Sequence, residues 1–414
     1  MAIVKSFKAV RPVPQYAEQV AALPYDVMNS AEARVMVSGN PHSFLHVDKA
    51  EIDLDPAIDV YDEQVYLKAR DNLEGLISSG ILAQDAQPGY YIYRLTMDGR
   101  AQTGLVGCCA IDDYLNDVIK KHEKTRADKE ADRIHHVDTL DANTGPIFLT
   151  CRSNDALNDI LDAWVRSNDS VYDFTADDDV RHEVWVIGGD TIGKIESVFG
   201  GIPALYIADG HHRCASAVNV GQKRRAENPG YTGDEDFNYF LAVVFPEDQL
   251  KILDYNRVVA DLAGDTPAAF LGKLSAHFDI AAHEGADPFK PQAKHSIGLY
   301  LDGKWYGMTA KPATYEGKDT VGSLDVSILQ NYVLGPILGI EDPRTDKRID
   351  FIGGIRGLGE LERRVSDGMA AAFAMYPTSV SDLMNIADAG LLMPPKSTWF
   401  EPKLRSGLFI HKLS

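Results

Sequence analysis

The run Leu205-Tyr206-Ile207-Ala208-Asp209-Gly210-His211-His212-Arg213-Cys214-Ala215-Ser216-Ala217 constrains the fold of this chain more than any other stretch. Apolar residues stop at Asp-Gly, two histidines and an arginine follow, and a run of small helix formers comes next. That order spells a buried strand, a tight turn and the start of a helix, the building block of an α/β fold. The first N–H groups of a helix lack partners inside it, and an arginine in the first turn adds charge, so the junction favours an anion. Asp-Gly is also an ordinary turn, and histidines at a helix start also serve as caps or packing groups. The strand before and the small residues after are what turn the motif into a candidate site.

Apolar spacing extends the mixed α/β reading along the chain. Tyr61, Val65, Leu67, Ala69, Leu73 and Leu76 recur at helical spacing until Gly80, and Tyr90–Thr96 and Thr103–Ile111 flank Asp98-Gly99 as a hairpin. Residues 40–47 read as a turn feeding a strand, 116–137 as one charged helix, and 157–167 as another helix. A strand over 183–187, a helix over 192–199 and a strand over 237–245 surround the opening motif. Beyond it, the spacing predicts a helix near 266–277, a hairpin at Asp302-Gly303, an apolar helix over 324–338 and a helix over 359–375. The expected organisation is an N-terminal α/β region over 1–115, a core over 116–262 that carries the motif, and a C-terminal α/β region over 263–414.

Composition narrows the function classes. The 414 residues are 45% hydrophobic and 25% charged, the balance of a soluble globular chain. A net charge of -20 argues against a general nucleic-acid binder, which needs a basic surface. No apolar run approaches a membrane span, and Met1–Lys8 lacks the apolar stretch of a signal peptide, so the cytoplasm is the expected compartment. The cysteines, Cys108, Cys109, Cys151 and Cys214, form no C-x-x-C pair and read as small buried hydrophobes. Cys214 follows Arg213 at a helix start, a setting that can lower a thiol pKa.

Two further segments carry chemistry-bearing side chains. On a helix, His122, Arg126, Lys129 and Arg133 would form one stripe able to hold a polyanion, with Glu123 and Glu130 on the neighbouring stripe. From the residues alone the segment reads first as a solvated helix laced with pairs such as Arg126–Glu130. His135-His136 with His122 and Glu123 does not match H-E-x-x-H and has no second cluster, so no metal ligands are assigned. The tail Met393-Pro394-Pro395-Lys396-Ser397-Thr398 offers an ammonium and two hydroxyls but lacks the P-loop frame. It can bind an anion, or pack Trp399 and Phe400 against the body. Phe351–Gly359 is glycine-rich without G-x-G-x-x-G, and reads first as a tight strand-to-helix turn, with a loop whose backbone approaches a phosphate as the other use.

Several of these residues together resemble the domain-of-unknown-function family 1015 of bacteria and archaea. They are Pro24-Tyr25-Asp26-Val27, Lys121-His122-Glu123-Lys124-Thr125 with Lys129, Glu130 and Arg133, Ala208–Arg213, Asn238-Tyr239-Phe240, Asp254–Arg257, Leu324-Asp325 and Met393–Thr398. More distantly, Asp209-Gly210-His211-His212-Arg213 after a strand is similar to the signature of the ParB/sulfiredoxin superfamily. Its members bind nucleotide phosphates at this junction and include free-serine kinases with an Asp-Gly-His-x-Arg motif. The resemblance implies a ParB/sulfiredoxin-like core with α/β extensions, in which Asp209 is the acidic motif residue, His211 the motif histidine and Arg213 the phosphate-binding arginine. Sulfiredoxin activity needs a cysteine before the His-Arg, and histidines stand there. The kinases also use an upstream glutamate as base, for which Glu123, Glu183 and Glu196 are the candidates.

The expectation is therefore a nucleotide-dependent phosphotransferase acting on a small hydroxylated metabolite, with free serine the first candidate. Catalysis falls to Asp209, His211 and Glu123. Phosphate or nucleotide binding falls to Gly210, His212, Arg213, Arg126, Lys129, Lys396, Ser397 and Thr398. Mg²⁺ with ATP or ADP, a small-molecule substrate and a homo-oligomeric state complete the expectation. A nucleotide-binding regulator without turnover and a nucleotide hydrolase are the alternatives.

Overall fold

Apolar strands covered on both faces organise the computed structural model, which describes residues 1–414 in a mixed α/β fold. The chain forms two units, Met1–Leu250 with Pro402–Ser414, and Lys251–Glu401. In the first unit nine strands make one sheet: β1 (Val4–Lys5), β2 (Tyr90–Met97), β3 (Arg100–Ala110), β4 (Ile119–Lys120), β5 (Ile147–Cys151), β6 (Tyr172–Thr175), β7 (Arg181–Ile187), β8 (Leu205–Asp209) and β9 (Tyr239–Pro246). Their order is β4-β8-β5-β9-β3-β2-β7-β6, with β1 on β3. Strands from the first 115 residues thus pair with later ones, and the two regions expected over 1–262 share a single sheet up to Leu250.

The β2–β3 hairpin turns at Asp98-Gly99, both at positive φ (51° and 75°), the geometry that matches the twist of a two-residue hairpin. β5 is buried throughout and β9 nearly so, the pattern of strands covered on both faces. One apolar cluster packs Leu149, Ile207 and Val244 with Leu157, Phe199 and Cys214. A second gathers Phe44, Val47, Leu73, Leu140 and Ile410.

Three expected elements differ. The charged helix over 116–137 begins only at Ala127, as α1 (Ala127–Leu140). Its expected first part is instead β4, paired parallel to β8 (Leu205↔Ile119, Tyr206↔Lys120), followed by a loop. Residues 45–48 form a short helix rather than a strand, with the Phe44 N–H donating to the Val20 carbonyl. The helix expected over 359–375 stops at Ser366, Gly368 turns the chain at φ 115°, and Ala371–Ala374 is a strand. Pairing on both sides overrides the helix propensity of those alanines.

The second unit is a six-stranded antiparallel sheet in the order Phe278–Ala282, Lys304–Ala310, Ser296–Leu301, Ala371–Ala374, Tyr255–Val259, Ile349–Gly353. The apolar helix expected over 324–338 is α-helical over Asp325–Leu329 and widens to a π-helix over Gln330–Leu334. No helix in the chain is long and apolar enough to cross a membrane.

Candidate functional site

β8 ends on Asp209, Gly210 turns at φ 91°, and α2 (His211–Glu227) begins at once. A Cβ at position 210 would lie 3.1 Å from Arg213 Nε, so the missing side chain makes room for the guanidinium to fold back over the turn. Arg213 Nη1 donates to the Pro146 carbonyl at 2.6 Å and Nη2 to Asp209 Oδ2 at 3.2 Å, while Nε is buried without a partner. Burial pushes this guanidinium down, and Asp26, Asp209, Tyr25 and Asp48 more than offset it, so it is held above its ordinary value. Lys403 Nζ stands 3.8 Å from Asp209 Oδ1. The Asp209 carboxylate therefore faces two cations.

A second arginine reaches the same place. Arg133, on α1, bonds Asp132 at 2.8 Å, and its guanidinium lies 4.2 Å over the Tyr25 ring. Arg133, Arg213, Tyr25, Asp48 and His136 line one cavity of about 30 Å³, room for one or two waters. Asp48 accepts from Thr144 Oγ1 at 2.9 Å on the same wall. Burial, followed by the neighbouring Arg133, holds His136 down at about 4, so its imidazole is neutral at pH 7.

The loop after β4 delivers the third component. Because β4 runs parallel to β8, their C-terminal ends meet and the His122 ring stands edge-on to His211, 4.4 Å between centroids. His211 Nδ1 lies 4.0 Å from Glu123 Oε2. Donor atoms of His122, Glu123 and His211 all fall within 4.8 Å of one another. His122 Nδ1 and His211 Nε2 are buried without partners. Burial lowers His122 to about 4 and His211 well below its ordinary value, leaving two neutral imidazoles. Two imidazoles and a half-exposed carboxylate are a donor set for a borderline transition-metal ion. The sequence spacing showed no such set, because its members are joined by strand pairing rather than by a helix.

Other expected residues are engaged elsewhere. The stripe of basic groups does not form, since His122 and Arg126 precede the helix. Arg126 sends its guanidinium to Asp128 at 2.8 Å and stays exposed; its backbone N–H donates to His212 Nε2 at 3.0 Å, which puts the His212 proton on Nδ1. Lys129 bonds the Tyr61 hydroxyl at 2.8 Å. Glu183 pairs with Arg181 on β7, five strands from β8, and Glu196 lies on the helix Thr191–Phe199. Lys396, Ser397 and Thr398 belong to the second unit, where the Lys396 carbonyl accepts from Arg257 and Ser397 Oγ donates to the Pro394 carbonyl. All four cysteines are buried and free, and burial pushes the Cys214 thiol up, not down. His135 pairs with Glu63 and stacks on Tyr66.

A model of the family described as "Protein of unknown function (DUF1015)" matches residues 4–327. No curated protein matches the chain. Among solved structures it is similar to a free serine kinase in complex with AMP, at 12% identity over 73% of this chain and 91% of that one, with a TM-score of 0.36. A variant of the free serine kinase in complex with ADP gives 12% identity over 74% and 93%, with a TM-score of 0.35. SbnI with C-terminal truncation from Staphylococcus aureus gives 10% over 73% and 85%, with a TM-score of 0.37. Likenesses this loose carry no argument about function.

Proposed function

The chain belongs to the family described as a protein of unknown function, DUF1015, and we propose from its own site that it is a nucleotide-dependent phosphotransferase acting on a small hydroxylated metabolite, with free serine the first candidate. One observation carries the reading. Arg213 is fixed at the start of a 17-residue helix with its Nε buried and unmatched, and Arg133 lines the same small cavity. Two buried guanidinium groups beside the first N–H groups of a helix favour an anion, and the cavity, with room for one or two waters, must widen to take a phosphate.

In this reading the α2 N-terminus, Arg213 and Arg133 hold the phosphates. Glu123, 46% exposed and beside His211, takes the proton of the substrate hydroxyl while its oxygen attacks the terminal phosphorus. The bond from that phosphorus to the bridging oxygen breaks, and the shortened nucleotide leaves. Asp209 becomes a positioning residue, because its carboxylate is spent on Arg213 and Lys403. His211, neutral, orients Glu123. Mg²⁺, which would neutralise charge on the phosphates, suits carboxylate oxygens such as those of Glu123, whereas the histidine nitrogens suit it poorly.

The grouping of His122, Glu123 and His211 favours a second reading, hydrolysis of a nucleotide with a transition-metal ion held by those three. One assay separates the two. The protein is incubated with Mg²⁺, ATP, ADP or CTP, and a pool of amino acids and other hydroxylated metabolites, and ³¹P spectra are followed. A phosphorylated metabolite, lost in Arg213→Met and Glu123→Gln, is expected. Inorganic phosphate alone, removed by chelation, supports hydrolysis. Transfer that survives both substitutions overturns the proposal.

A further inference from the structure

The second unit buries a charge that nothing in it balances. Arg257 sits on the strand Tyr255–Val259 between two others and is 3% exposed. Its Nη1 donates to the Tyr255 carbonyl and its Nη2 to the Lys396 carbonyl at 2.9 Å, and its guanidinium lies 5.5 Å over the Phe351 ring. No carboxylate is among these partners. Burial therefore drives the guanidinium down to about 10, with only Tyr255 acting the other way. Buried charges are normally paired, because a lone ion away from water is costly.

Arg257 also lines a cavity of about 300 Å³. That is the lower end of small-molecule pockets. Val326, Leu334, Phe351, Pro394 and Pro395 give it apolar walls. Its other cation, Arg344, is already spent on Asp342 at 2.7 Å and is exposed. The Gln330 amide is spent on the Ile340 carbonyl at 2.8 Å. Two unusual backbone features shape the walls. Gln330–Leu334 is the π-helical turn, a form often found at functional sites, and Lys396 takes a left-handed φ of 58° as its carbonyl meets Arg257.

We propose that this cavity binds a small monocarboxylate, its carboxylate on Arg257 and its apolar body against Val326, Leu334, Phe351 and Pro394. A guanidinium that has given two N–H groups to carbonyls keeps donors for a planar, bidentate partner. One uncompensated cation matches one negative charge. A phosphate monoester would bring more charge than Arg257 can balance, and Glu341 on the same wall would oppose that second charge. The cradle at Arg213 lies in the other unit.

The test uses the full chain, thermal shift and titration calorimetry, with benzoate and hexanoate as probes, benzamide and hexanamide as uncharged counterparts, and inorganic phosphate as the competing anion. The carboxylates should bind saturably and raise the melting temperature, with the amides weaker by about tenfold or more and phosphate without effect. Arg257→Met should abolish the response and leave the ligand-free melting temperature unchanged or higher, since an unpaired buried charge is replaced by a side chain of similar length. Leu334→Trp, which fills the cavity and leaves Arg257 in place, should abolish it as well. Absence of carboxylate binding at millimolar concentration overturns the proposal, as do amides that bind equally, phosphate that binds better, or a response that survives Leu334→Trp. A ligand-free Arg257→Met that melts several degrees lower makes Arg257 a strut between carbonyls and overturns it too.

Discussion

Arg213 gives one terminal nitrogen to a carbonyl and the other to a carboxylate, and a lysine cannot span both. Arg213→Lys is therefore not conservative here. Its affinity for ADP in a calorimetric titration should fall by about tenfold or more, since a bidentate charged contact is reduced to a point charge. An unchanged affinity would place the phosphates elsewhere. The residues of the motif itself were legible because they are neighbours in the chain. Tyr25, Asp48 and Arg133 were not assigned to that cradle, because only the fold brings them to Arg213. The stripe that joins Arg126 and Lys129 to His122 needs a helix that begins before residue 122, and the helix begins at Ala127. A residue remote from the site gives a separate test. His182 is fully buried, its Nδ1 meets the Tyr93 hydroxyl at 2.7 Å, and burial with the nearby Arg405 holds it down at about 3. The unfolded chain takes up that proton near pH 6.5 and the folded chain only near 3, so stability is full above 6.5 and falls as pH drops through that window. The loss is about 1.4 kcal/mol per pH unit for one proton. His182→Gln keeps a partner for Tyr93 and should remove that share of the slope in urea unfolding at several pH values; an unaltered slope would count against a neutral buried histidine.

The helix α2 shows why propensity is a poor guide to an element's interior. Gly221 lies in its middle, where alanine would add about 1 kcal/mol of helix propensity. A Cβ there would sit 2.6 Å from the Phe237 carbonyl oxygen and 2.7 Å from Ile111 Cδ1. The backbone carbonyl cannot yield as a side chain can, so overpacking of about 1–3 kcal/mol should prevail. Gly221→Ala should lower the urea midpoint without changing the slope; a midpoint that rises would mean the neighbouring turn gives way. The same contest decided which elements were legible. Hairpins at Asp98-Gly99 and Asp302-Gly303 and the strand into Asp209 are set by local turn chemistry and were readable. β4 is two residues long and exists only through pairing with a strand 86 positions later, so its residues read as helix. The alanine strand at 371–374 failed in the same way, its two neighbours being distant in sequence.

At the scale of the molecule, the second unit is one continuous segment within the chain of the first. The chain leaves the first unit at Leu250 and re-enters at Pro402, where Leu408, Phe409 and Ile410 are completely buried and Ile410 bridges Val10. The junction at Leu250 carries no glycine-, serine- or proline-rich stretch, and the proline- and serine-bearing segment 394–407 reads as a closing tail, so the sequence places the boundary near 262. The signal is instead a pairing: Ile252–Leu253 runs antiparallel to Trp399–Phe400, which brings the two ends of the segment together. Such an inserted segment closes its own loop and needs no help from the host to hold its termini. Residues 251–401 expressed alone should fold, with a cooperative thermal transition, dispersed amide resonances, and an apolar cluster around Val258, Trp305, Ile352 and Leu361 protected from hydrogen exchange. The reciprocal chain, with residues 251–401 replaced by a short flexible linker, should keep the sheet β1–β9 and its ADP binding. If the excised segment shows secondary structure without protected amides, the two units fold as one, and the cavity at Arg257 and the cradle at Arg213 cannot be studied apart.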